Sequence, residues 1–106
     1  MNKKLIKTFI LFSAKEKYIE KEGSQWCVRC CLGNAKSDFD ELLENKKFSM
    51  PISDVLRQYA TGFEETDYDK PLVEARDYLA SKNFELLFDT RKKAISFMIK
   101  EANKLK

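Results

Sequence analysis

Hydrophobic and polar positions along the chain divide it into short segments with distinct periods. Phe9-Ile10-Leu11-Phe12 is apolar at every position, which fits a strand covered on both faces. With its flanks it predicts a first strand over Lys4 to about Ile19, whose charged half from Ala14 onward projects toward solvent. In Gln25 to Leu32, Trp26, Val28, Cys30 and Leu32 alternate with Cys27, Arg29 and Cys31, the period of two that marks a strand. Lys21-Glu22-Gly23-Ser24 lies between the two runs and supplies the permissive backbone of a hairpin.

Helical patterns follow. Ser37 with Asp40 forms a near capping box, predicting a helix over Asp38 to about Asn45 with Phe39, Leu42 and Leu43 inward and Asp40, Glu41 and Glu44 outward. Pro51 suits a first helical turn, and Ile52, Val55, Leu56 and Tyr59 make a stripe that carries a helix to about Ala60, with Gly62 as its stop. A third helix spans Lys70 to Lys82, with Leu72, Val73, Ala75, Leu79 and Ala80 buried and Asn83 at its end. Phe84 to Phe88 reads as a short strand, or alternatively as a helix extension. Asp89 or Thr90 then caps a helix from Arg91 to about Lys104, with Ala94, Ile95, Met98, Ala102 and Leu105 on its apolar face. The order is ββαααβα. It predicts an α+β fold, an antiparallel sheet of about three strands with about four helices mainly on one face. At 106 residues the chain is expected to form a single domain, 1–106.

Composition changes the picture chiefly through what is missing. The chain has no histidine, which removes Ser-His-Asp and Cys-His nucleophilic chemistry and every imidazole zinc site. The paired carboxylates, such as Asp38 with Asp40 or Glu64 with Glu65, are expected on the surface, where nothing raises a pKa for acid catalysis. The expectation is a non-enzyme with no catalytic residues. The basic, apolar N-terminus has the outline of a signal peptide, but Lys7 interrupts it and Phe12-Ser13-Ala14 is a poor cleavage site. No run approaches the roughly 20 apolar residues of a membrane span. A cytoplasmic protein with no membrane partner is the expectation.

The three cysteines, Cys27, Cys30 and Cys31, are too few and too clustered for a disulfide framework. Cys-x-x-Cys is a spacing shared by redox and metal sites. On a strand, however, Cys27 and Cys31 stand roughly 13 Å apart, and Cys27 and Cys30 face opposite sides. A structural zinc also wants a fourth ligand. The expectation is therefore no metal and no cofactor, with Cys30 in the core and Cys27 and Cys31 as small hydrophobes on the second face.

Charge is unevenly spread. Residues 1–22 carry six basic and three acidic groups, residues 23–90 eight and thirteen, and residues 91–106 six and one. The acidic middle culminates in Phe63, Glu64, Glu65, Asp67, Tyr68 and Asp69, a connection combining aromatic anchors with a negative rim. This points to a non-catalytic protein-interaction module, an inhibitor or immunity-type protein that binds a basic protein such as a nuclease. Reversing Asp67 and Asp69 to Lys is expected to slow and weaken such binding without unfolding the domain; unchanged association kinetics would retire it. The alternative is a small nucleic-acid-binding regulator. Lys93, Lys100 and Lys104 fall within about 40° on the last helix and could neutralise phosphates. An apolar sheet face left uncovered keeps a homodimer open as well.

Overall fold

The computed structural model describes residues 3–45 and 70–105. Its elements are α1 (Lys3–Ser13), a 3-10 turn (Glu16–Tyr18), β1 (Lys21–Glu22), β2 (Gln25–Cys27), α2 (Val28–Asn45), α3 (Lys70–Lys82), β3 (Leu87–Phe88) and α4 (Arg91–Lys104). Among the described residues the architecture is α+β, with an antiparallel sheet in the order β1-β2-β3 and four helices. An N-terminal hairpin and one later strand build the sheet, with Lys21 opposite Trp26, and Trp26 opposite Phe88. From the hairpin onward the described succession follows the expected one. The helix expected over Pro51 to Ala60 lies outside the described residues.

The N-terminal segment overturns the strand expected over Lys4 to Ile19: it is a helix. Leu5, Ile6, Phe9, Ile10 and Phe12 are all buried and, at 100° per residue, fall within about 160° of one another. α1 packs against α2, α3 and α4 together, so it is the hub of the helical layer. Lys3, Lys4 and Lys7 fall on the opposite side, so the segment is an amphipathic helix, and only its four consecutive apolar residues, Phe9 to Phe12, look like a covered strand. Its hydroxyls are satisfied within the helix. Thr8 Oγ1 donates to the Lys4 carbonyl (2.7 Å) and Ser13 Oγ to the Phe9 carbonyl (2.8 Å). The charged stretch after it is not wholly solvated, since Tyr18 and Ile19 are buried. The Tyr18 hydroxyl donates to Asp38 Oδ2 at 2.8 Å, and Lys17 Nζ reaches the same oxygen at 3.2 Å, fastening the turn to α2.

The second expected strand, Gln25 to Leu32, is also corrected: it stops at Cys27, and Val28 begins α2. Val28, Cys31, Leu32, Ala35 and Phe39 are fully buried at helical spacing, and this period decides the conformation over the alternation. Ser37 is consequently an exposed position inside α2 and not the cap of a helix starting at Asp38. Phe39 closes the core between two rings of α1, with centroids 5.0 Å from Phe9 and 5.5 Å from Phe12.

The C-terminal half follows the pattern more closely. Ala75 and Leu79 of α3 are buried, although Val73, expected inside, is exposed. Asn83 ends the helix, and its Oδ1 accepts from the backbone N–H of Glu85 and Leu86. Only Leu87–Phe88 of the run Phe84 to Phe88 is strand, and Phe84 is 86% exposed. Thr90 caps α4 by accepting from Lys93 N–H at 3.2 Å. Ala94, Met98 and Ala102 are buried as the stripe implies, and Glu101 joins them at 6% exposure.

Candidate thiol site

The end of β2 and the start of α2 meet at Cys27. The hairpin turns at Gly23, whose φ of +65° is the left-handed conformation glycine adopts freely. That turn sets β1 beside β2, and Glu22 reaches the first turn of α2, with Cys30 Sγ donating to Glu22 Oε2 at 3.4 Å. Cys27 is held on the opposite side by pairing with Leu87 of β3. The N–H of Val28 donates to the Leu86 carbonyl at 2.9 Å, which fixes the direction in which the helix leaves the sheet. Leu86 is fully buried in the left-handed region at φ +52°, a conformation that places its carbonyl at this junction.

Within this frame the Cys27 sulfur takes the role of a capping acceptor. It receives the backbone N–H of Cys30, three residues on, at 3.4 Å. One ligand atom from each of Glu22, Cys27 and Cys30 lies within 4.8 Å of the other two. Cys31 stands apart. It is fully buried, and its thiol donates to the Cys27 carbonyl at 3.1 Å. The expectation that Cys27 and Cys30 face opposite sides is therefore reversed. The helical turn brings them together, Cys27 and Cys31 are buried, and Cys30 is half-buried. Burial, the adjacent Cys27 sulfur and the Glu22 carboxylate push the Cys30 thiol up to about 12. Burial pushes Cys31 up to about 11. Both therefore keep their protons through the physiological range. All three cysteines are free.

The other expected sites fare differently. Phe63, Glu64, Glu65, Asp67, Tyr68 and Asp69 lie outside the described residues. Lys93, Lys100 and Lys104 are exposed on α4. Two of them face acids: Lys93 is 3.8 Å from Asp89, and Lys104 is 3.1 Å from Glu101 Oε1. Two of the three lysines of the cationic stripe are thus already compensated locally. Among the described residues no helix is long and apolar enough to cross a membrane.

The chain matches no protein-family model, no curated protein and no solved structure. Function must be argued from the side chains. The site itself could have been found in the sequence, because Val28, Cys31, Leu32, Ala35 and Phe39 repeat at helical intervals and place Cys-x-x-Cys at a helix start. Glu22 could not, since only the register of the hairpin brings it there.

Proposed function

We propose that the domain works as a thiol–disulfide module, with Cys27 and Cys30 as a reversible pair. The observation that carries this reading is the convergence of both sulfurs on one turn at the start of α2, with the Cys30 thiol aimed at the Glu22 carboxylate. Spacing and position serve the chemistry. The helix N-terminus favours negative charge on a nearby sulfur, and the Cys30 N–H already points at Cys27 Sγ. Glu22 accepts the Cys30 S–H in a hydrogen bond that holds the proton in place, and a thiol of high pKa is strongly nucleophilic once that proton leaves to solvent. The oxidant is a low-molecular-weight disulfide. One thiol attacks it and expels one small thiol; the second attacks the resulting mixed disulfide and expels the other. The protein loses two protons and two electrons and gains one S–S bond, while the small disulfide becomes two thiols. This is a stoichiometric response and requires no catalytic residue.

In oxidising glutathione buffer, mass spectrometry after alkylation is expected to show loss of two hydrogens, with Cys31 alone carrying the alkyl group. Glu22→Gln removes a carboxylate that opposes ionisation of Cys30, so it is expected to speed disulfide formation near neutral pH while leaving the oxidised product the same. Cys27 and Cys30 remaining reduced, or a bond joining Cys31 to either, would sink this reading.

A further inference from the structure

The same corner of the fold has a property that disulfide chemistry does not use. Glu22 brings a hard anionic oxygen to the two sulfurs, and the three donors come from β1, β2 and the first turn of α2, with β1 and β2 held in register by the hairpin. We propose that reduced Cys27 and Cys30, together with Glu22, bind a thiophilic divalent cation of the Zn²⁺ class. Geometry supports this. In a tetrahedral zinc site, bond lengths of about 2.3 Å to sulfur and 2.1 Å to oxygen place two sulfurs about 3.8 Å apart and a sulfur and an oxygen about 3.6 Å apart. The Cys30 sulfur and Glu22 Oε2 are 3.4 Å apart, and no pair in the cluster exceeds 4.8 Å. Small side-chain rotations at half-buried Cys30 and exposed Glu22 close that interval without moving the backbone.

Charge points the same way. Three groups that become anions lie within 4.8 Å of one another, so each opposes ionisation of the next. A divalent ion reverses that opposition and releases both thiol protons on binding. Two thiolates, one carboxylate and the ion sum to a single negative charge, which the positive end of α2 favours. The backbone supports the sulfurs as well, because Cys30 N–H already donates to Cys27 Sγ. The sulfur pair favours Zn²⁺ over Mg²⁺ or Ca²⁺, which take oxygen ligands. Three protein donors leave the fourth tetrahedral position to water or an incoming group.

The inference uses the same Cys27, Cys30 and Glu22 as the preceding reading, in their reduced form, and the two are tested apart. The reduced full chain is titrated with Co²⁺, then competed with Zn²⁺. The expected result is one equivalent bound, with a thiolate-to-cobalt charge-transfer band and intense visible ligand-field bands that Zn²⁺ bleaches. Glu22→Gln, at an exposed position, is expected to weaken Zn²⁺ binding by at least about tenfold without affecting folding. Cys30→Ser is expected to abolish the charge-transfer band, and Cys31→Ser to leave it unchanged. Absence of the band in the reduced wild-type chain overturns the site. Unaltered affinity in Glu22→Gln, or a Cys31→Ser variant that binds as poorly as Cys30→Ser, overturns the ligand set. Disulfide formation, followed by mass without metal, reports on the other reading whatever the cobalt result.

Discussion

Replacing Phe39 by Ala is expected to cost about 3–5 kcal/mol, a large share of the roughly 5–15 kcal/mol that holds a domain of this size together. Phe39 is fully buried in α2 and meets two aromatic rings of α1, Phe9 edge-on and Phe12 at a tilt. Truncation loses the transfer energy of the ring and leaves a void that neither α1 ring can fill without leaving its own contacts. Phe12 is already committed to Tyr18 at 5.3 Å, so the loss spreads toward the turn fastened to Asp38. A urea titration of the two proteins measures the difference. Phe84→Ala is the companion substitution. Phe84 is the most exposed large hydrophobic residue among the described residues, and its truncation is expected to change stability by no more than about 0.5 kcal/mol. Equal midpoints for Phe39→Ala and Phe84→Ala would mean that the α1–α2 contact is not the core of the domain.

The contrast between the two phenylalanines shows what the sequence does and does not disclose. α3 and α4 were legible because each presents apolar residues on one face and has a boundary residue with a local role, Asn83 at one end and Thr90 at the other. The hairpin was legible through Gly23. α1 was not, because Phe9-Ile10-Leu11-Phe12 is apolar at four consecutive positions and looks like a covered strand, although Leu5, Ile6, Phe9, Ile10 and Phe12 gather on one side of a helix with Lys3, Lys4 and Lys7 on the other. A single wrong period then propagated. Extending β2 past Cys27 put the cysteines on opposite faces, so this cluster of chemically capable groups looked inert. Glu101 is a different kind of omission. It is buried with Oε1 bonded to Lys104 and Oε2 without a hydrogen-bond partner, and its spacing of seven from Ala94 and three from Met98 already puts it on the apolar face of α4.

Raising the pH above 9 is expected to destabilise the reduced, metal-free protein steadily. In the unfolded chain the thiols lose their protons around their ordinary value of 9.0, whereas the folded chain holds the proton of Cys31 to about 11 and that of Cys30 to about 12. Between these limits the unfolded state binds fewer protons than the folded one, and stability must fall as pH rises. The stabilisation is complete below pH 9 and is lost as pH climbs through the folded values. Cys31 gives the firmer contribution, of order 2 kcal/mol, because it is inaccessible to solvent. Cys30 acts in the same direction but is half-buried, and water screens its share. Tyr18 and Tyr78, both raised first by burial, add to the slope above pH 10. Urea midpoints measured with reductant present from about pH 7 to about pH 10.5 follow the effect. Cys31→Ala is expected to lower the midpoint at neutral pH and to flatten the alkaline fall. A flat wild-type profile across that range would show that the thiols at the start of α2 are as open to water in the folded chain as in the unfolded one. The enclosed junction of β2 and α2, on which both thiol readings depend, would then be wrong.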